Sequence, residues 1–147
     1  MVLMGQRTLL KLGALLCAAA CVGLVAGIAT AANKRGDARA NLIRGTGVGD
    51  LLVGLGGNDT LYGLAHDDDL YGGAGDDVLY GGVDRDWLYG GPGNDIVYAL
   101  DGDRDFIVCG LGNDRAVVDE KDVLGGCERV VRPDDDDDDD DGDVDGG

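Results

Sequence analysis

An aspartate recurs every nine residues through the middle of the chain, at Asp50, Asp59, Asp68, Asp77, Asp86 and Asp95. After a one-residue slip near Ala99 the ladder resumes at Asp105 and Asp114. Two residues after each aspartate stands an apolar side chain: Leu52, Leu61, Leu70, Leu79, Leu88, Val97, Ile107 and the smaller Ala116. Ile43, two after Asn41, extends the series one step earlier, and a second column of Val53, Tyr62, Tyr71, Tyr80, Tyr89 and Tyr98 runs beside it. A fixed period of this kind means that no single unit can bury its own apolar face, so neighbours must stack to make a core. A three-residue strand such as Val78-Leu79-Tyr80 is too short to stand alone. The six-residue turn Gly72-Gly73-Ala74-Gly75-Asp76-Asp77 reverses the chain before the next strand. Two units close one coil, so strands 18 residues apart stack in parallel and their central residues point into a thin core between two sheets. Glycine serves these turns because they require positive φ and close backbone approach.

Composition narrows the partners. The chain has 147 residues, 12 basic and 29 acidic, for a net charge of −17, and 28 of its residues are glycine. Length allows one small domain. A polyanion repels nucleic acid and anionic membrane surfaces, so neither is expected as a partner. The charges it attracts are cations.

The stretch Gly72-Gly73-Ala74-Gly75-Asp76-Asp77-Val78-Leu79-Tyr80 reads G-G-x-G-x-D-x-U-x, and Gly90-Gly91-Pro92-Gly93-Asn94-Asp95-Ile96-Val97-Tyr98 does the same. Over residues 41–117 the chain resembles the repeats-in-toxin (RTX, or hemolysin-type) calcium-binding nonapeptide proteins. The resemblance implies an all-β fold, a right-handed parallel β-roll, with calcium ions held in the turns between coils. It also implies the ligands: the position-six carboxylates of Asp50, Asp59, Asp68, Asp77, Asp86, Asp95, Asp105 and Asp114, with backbone carbonyls of the glycine-rich stretch at Gly54, Gly72, Gly75, Gly90 and Gly93. Calcium favours oxygen-only sites of this sort. The alternative is that these aspartates are ordinary solvated turn residues. Stacking argues against it, because carboxylates on coils about 4.8 Å apart repel unless a cation lies between them.

The two edges of such a roll differ in sequence. Turns beginning at Gly54, Gly72, Gly90 and Cys109 carry glycine at their fourth position: Gly57, Gly75, Gly93 and Gly112. Turns beginning at Gly45, Gly63, Gly81 and Leu100 carry Val48, His66, Asp84 and Asp103 there. A side chain at positive φ is costly, least so for Asp, Asn or His. The first edge is therefore expected to hold the tighter sites, between Asp59 and Asp77, Asp77 and Asp95, and Asp95 and Asp114.

Outside the repeat, residues 1–31 read as an export signal: Arg7 and Lys11, then the uncharged run from Leu12 to Ile28, then Ala29-Thr30-Ala31 as a small-x-small cleavage pattern. An uncleaved membrane anchor is the alternative. Cys21 after Ala18-Ala19-Ala20 weakly resembles a lipoprotein box, but the apolar stretch continues past it to Ile28. Cleavage after Ala31 would leave a net charge of −19, no stable membrane insertion, and a secreted, monomeric chain. Cys17 and Cys21 would leave with the signal. The remaining pair, Cys109 and Cys127, points to a disulfide in an oxidising compartment, with two structural thiols as the alternative. Residues 32–40 read as a linker and 118–132 as a cap that covers the last sheet edges. Residues 133–147 read as a disordered acidic tail with Asp134 to Asp141 unbroken. Asp141-Gly142-Asp143-Val144-Asp145-Gly146 copies the opening of an EF-hand loop, without the bidentate glutamate at position twelve.

No enzyme is expected. The chain contains no serine and no H-E-x-x-H, and its glycine-rich fragments lack the following helix of a phosphate loop. His66, the only histidine, reads as an incidental turn residue, and Trp87 as a lone outward aromatic. The favoured function is extracellular calcium binding by a roll that folds on the metal. Many RTX proteins leave the cell by a one-step exporter that reads a C-terminal signal, and the N-terminal signal here departs from that route. The alternative is a cell-surface adhesin or interaction module, using the stiffened roll as a spacer or its outward tyrosines as a contact face. In two stacks, Tyr62/Tyr80/Tyr98 and Tyr71/Tyr89, those rings would equally shield neighbouring strands. No protein or envelope partner is named by the sequence.

Overall fold

Each nonapeptide contributes one strand and one turn, and successive strands alternate between two parallel sheets. A computed structural model describes residues 30–133 of the chain. The expected signal up to residue 29, with Cys17 and Cys21, lies outside the described residues. So does the acidic stretch from residue 134, with its EF-hand-like fragment. One sheet runs β1 (Asn33–Arg35), β3 (Leu51–Gly56), β5 (Asp69–Ala74), β7 (Trp87–Pro92), β9 (Phe106–Leu111) and β11 (Val123–Gly125). The other runs β2 (Leu42–Arg44), β4 (Thr60–Ala65), β6 (Val78–Val83), β8 (Ile96–Ala99), β10 (Arg115–Val118) and β12 (Arg129–Val131). The result is a parallel β-solenoid of about six turns. Among the described residues no helix is long and apolar enough to cross a membrane.

The register is that of the repeat. Leu52 pairs with Leu70, Leu61 with Leu79 and Leu79 with Val97. The leucines at 52, 61, 70, 79 and 88 are wholly buried, as is Val97. Shape and hydrophobic burial therefore hold one column per sheet, and truncating any one of these leucines to alanine would cost about 2–5 kcal/mol. On the outer faces Tyr62, Tyr80 and Tyr98 stack with centroids 4.6 and 4.7 Å apart, and Tyr71 stacks on Tyr89 at 4.8 Å. Trp87 is not a lone aromatic: its coil neighbour Phe106 stacks on it at 4.5 Å.

Three features depart from the sequence reading. The middle strands are six residues long, because pairing continues past the first turn residue, as in Leu55 with Gly73 and Gly56 with Ala74. The stretch expected as a linker supplies β1, in register with β3, and Lys34 sits across from Leu52. Its ammonium donates to the Arg44 carbonyl and so places a charge beside the first leucine of the column among the described residues. The stretch expected as a departing cap supplies β11 and β12, paired with β9 and β10, at steps shortened from 18 residues to 17 and 14. The slip near Ala99 is absorbed inside a turn, and Trp87 pairs with Phe106 at a 19-residue step without breaking the sheet. Cys109 and Cys127 are joined in a disulfide across the last two coils of one edge.

The second turn position also takes positive φ, which the sequence reading did not foresee. Gly73, Gly82, Gly91 and Gly110 occupy it at φ between 115° and 130°, but Leu55 and Leu64 are held at 90° and 94°. A left-handed L-residue costs about 1–2 kcal/mol, and glycine returns roughly 0.5–1 kcal/mol of that through its freer unfolded chain. Leu55→Gly and Leu64→Gly are each expected to raise stability by up to about 1 kcal/mol in thermal melts of the calcium-saturated chain. Lower melting temperatures for both would show that their side chains contribute more than their backbones lose.

Candidate metal centre

The aspartates face inward. Those at 59, 68, 77, 86, 95, 105 and 114 are at most 1% exposed, so the solvated-turn alternative does not describe them. In each, Oδ1 accepts a backbone N–H from the coil before, an aspartate's in all but Asp59: Asp59 donates to Asp77 at 2.7 Å, Asp77 to Asp95 at 2.8 Å, and Asp95 to Asp114 at 2.8 Å. On the opposite edge Asp50 donates to Asp68, Asp68 to Asp86 and Asp86 to Asp105, at 2.7 to 2.9 Å. The ladder continues beyond the residues singled out from the sequence. Asn41 donates to Asp59, Asp105 to Asp122 Oδ1, and Asp114 to Glu128 Oε2. Asp122 and Glu128 were missed because their steps are 17 and 14 residues. Leu124, two after Asp122, was the available signal.

The second carboxylate oxygen is the unusual one. In Asp59, Asp68, Asp77, Asp86, Asp95, Asp105 and Asp114, Oδ2 is buried and has no hydrogen-bond partner. An unpartnered buried carboxylate oxygen is costly unless a cation or proton meets it. Asp50 differs, because Ala32 N–H and Thr46 satisfy its oxygens. Burial pushes the carboxyls of Asp68, Asp77 and Asp95 up to about 6, that of Asp105 to about 7 and that of Asp86 to about 8. The backbone N–H bonds pull the other way, and neighbouring aspartates add to the rise. Asp59 and Asp122 are raised by burial as well.

The orphaned oxygens of Asp59, Asp68, Asp77, Asp86 and Asp95 look onto the glycine that opens their own turn. A Cβ on Gly54 would lie 2.2 Å from Asp59 Oδ2 and 2.4 Å from the Gly72 carbonyl oxygen. On Gly72 it would meet Asp77 Oδ2 at 2.5 Å and the Gly90 carbonyl at 2.8 Å, and on Gly90 it would meet Asp95 Oδ2 and the Cys109 carbonyl, both at 2.4 Å. Gly45 and Gly63 repeat the arrangement on the other edge with Asp50 and Asp68. A carboxylate oxygen of one turn and a carbonyl oxygen of the next thus converge where glycine leaves room. At the fourth position, Gly75 and Gly93 pack against the carbonyls of Gly57 and Gly75, leaving no space for a side chain. No group of three or more His, Cys, Asp or Glu side chains among the described residues could hold a metal unaided. Any ion would need backbone carbonyls as well, and the oxygen-only donor set suits a hard cation such as calcium.

At the fourth turn position all four glycines of the first edge take positive φ, as do His66 and Asp84 on the second edge but not Val48 or Asp103. His66 and Asp84 take φ of 70° and 78°, a narrow region that these residue types tolerate, and Gly57 lies near them at 92°, whereas Gly75, Gly93 and Gly112 open to between 130° and 153°. Side chains on the second edge bridge the coils: Arg85 to Asp67 at 2.9 Å, and the His66 ring to Asp84 at 3.3 Å. On the first edge Asn58, Asp76, Asn94 and Asn113 form an outer amide ladder instead.

Comparison with known proteins agrees with this geometry. The sequence model described as "RTX calcium-binding nonapeptide repeat (4 copies)" matches residues 44–79, 71–104 and 80–116. No curated protein and no solved structure matches the chain.

Proposed function

From the premise that this chain is an RTX-type repeat protein, we propose that it is a non-catalytic, extracellular calcium-binding module that completes its fold on the metal. The observation that carries this reading is the row of buried, unpartnered Oδ2 atoms, of which those of Asp59, Asp68, Asp77 and Asp95 converge with a carbonyl of the next coil. The ligands are Asp59, Asp77 and Asp95 with the carbonyls of Gly72, Gly90 and Cys109 on the first edge, and Asp68 and Asp86 on the second. Calcium supplies the positive charge that lets adjacent coils carry ionised carboxylates in a buried row. The first edge binds more tightly. Its turns are free of side chains at the fourth position, and Asp86 on the second edge, raised to about 8, resists ionisation at neutral pH. The tyrosine ladders serve strand packing, since their rings stack face to face on the neighbouring coils.

Far-UV circular dichroism during a calcium titration, with magnesium as control, tests the reading. A coil-to-β transition between sub-millimolar and millimolar calcium is the expected result, as for other extracellular calcium modules. Asp77→Ala should shift the midpoint upward by about tenfold or more, a cost of about 1.4 kcal/mol or more. Asp68→Ala should shift it much less. Equal shifts would remove the edge asymmetry, and a full β spectrum at pH 8 without metal would remove calcium-dependent folding.

A further inference from the structure

The first turn position carries glycine along one edge at 36, 54, 72 and 90, and then changes. The register of Gly91 with Gly110 makes Cys109 the counterpart of Gly90. A Cβ therefore stands at the point where, in the preceding turns, only oxygens meet. That side chain is wholly buried and continues into the disulfide to Cys127, which belongs to the next coil. The bond crosses the same interval, between one turn and its successor, that the oxygen pairs bracket at Gly54, Gly72 and Gly90. Both the space and the task of joining neighbouring turns are taken.

We propose that the Cys109–Cys127 disulfide replaces the last calcium ion of this edge, so that Asp114 orders the backbone and binds no metal. The inference rests on the calcium reading above and revises the sequence expectation for Asp114. Its Oδ1 still serves the ladder by accepting the Asp95 N–H at 2.8 Å and its own N–H goes to Glu128, while its Oδ2, buried without a hydrogen-bond partner, lacks the facing glycine that the preceding turns supply. The ion between this turn and the one before is held from the other side, by Asp95 Oδ2 and the Cys109 carbonyl. Calcium then secures the edge as far as the turn that opens at Gly90, and a covalent bond secures the end.

Calcium counting by flow dialysis of the full oxidised chain tests this, with Asp77→Asn and Asp114→Asn compared with the unsubstituted protein. Asp77→Asn should lose at least one ion, and Asp114→Asn should lose none. Loss of an ion in Asp114→Asn overturns the proposal and leaves the calcium reading standing, whereas no calcium in the unsubstituted chain overturns both. Should Asp114→Asn fail to fold, amide exchange decides. Reduction of the unsubstituted chain at saturating calcium should raise exchange in β10, β11 and β12 by tenfold or more and leave β3 to β7 protected. Unchanged exchange in β10 to β12 after reduction would show that a cation, and not the disulfide, holds the end.

Discussion

Gly72→Ala is expected to disable the calcium site at its turn without touching a charged group. The added methyl would sit 2.5 Å from Asp77 Oδ2 and 2.8 Å from the Gly90 carbonyl, so one of the two oxygens must move. Both are anchored: Asp77 through the N–H of Asp59, and Gly90 within a strand paired on both sides. Overpacking of this kind costs about 1–3 kcal/mol, and separation of the converging oxygens adds to it. Gly72 does not lie in the left-handed region, so the substitution tests space and not backbone freedom. Gly47→Ala is the control, because nothing lies within 4 Å of its virtual Cβ. The calcium midpoint should rise by about tenfold to a hundredfold in Gly72→Ala, or about 1.4–2.8 kcal/mol, and stay within twofold in Gly47→Ala. A Gly72→Ala midpoint equal to that of the parent would mean that the oxygens meeting at Gly72 hold no ion.

The second large effect is on pH. Asp68, Asp77 and Asp95 are raised to about 6, Asp105 to about 7 and Asp86 to about 8, from 3.8. Without metal, the folded chain therefore binds more protons than the unfolded chain between pH 4 and 8. Stability from these groups is fully present below the unfolded value and is lost as pH rises through 6 to 8. The metal-free chain, prepared over a chelating resin, should show its strongest β signal near pH 4–5 and lose it by pH 8. Calcium reverses the dependence, since it needs the ionised form: affinity should fall by about tenfold for each pH unit below 6 per carboxylate displaced. A metal-free chain equally folded at pH 5 and pH 8 would show that the aspartates are not titrating in the folded state.

Much of this was legible in the residues, and for a physical reason. A solenoid repeats one local environment, so the nine-residue spacing determines strand register, the leucine columns and the tyrosine stacks together. The pairing of Leu61 with Leu79 and of Tyr62 with Tyr80 follows from counting. The disulfide was legible as a pair of cysteines, and its place across two turns required the register. Counting failed where spacing changed. Asp122 and Glu128 escaped because shorter steps carry the same ladder with different side chains, and Glu128 reaches across with one more methylene. The first coil escaped because Lys34 stands where the pattern calls for leucine. The strained φ at Leu55 and Leu64 could not be read from residues that do not look like turn formers. What the carboxylates face was equally hidden, because period alone does not say which oxygen is spent on the backbone and which is left over.

The amide-to-carboxylate ladder also gives the solenoid a direction. Every N–H of the inner aspartate ladder is satisfied from the coil that follows, whereas the outer rungs from Asp76, Asn94 and Asn113 run the other way. Trimming coils from the amino-terminal end therefore strips a donor from a carboxylate that water can solvate at the new end. Trimming from the other end strands an amide whose acceptor has gone. The two ends of this rod are thus chemically unequal: one tolerates shortening, and the other needs a terminus built for it. Glu128, Asp122 and the disulfide supply that terminus, so copies of the repeat could be added or lost ahead of Asn41 with the closing coil left intact.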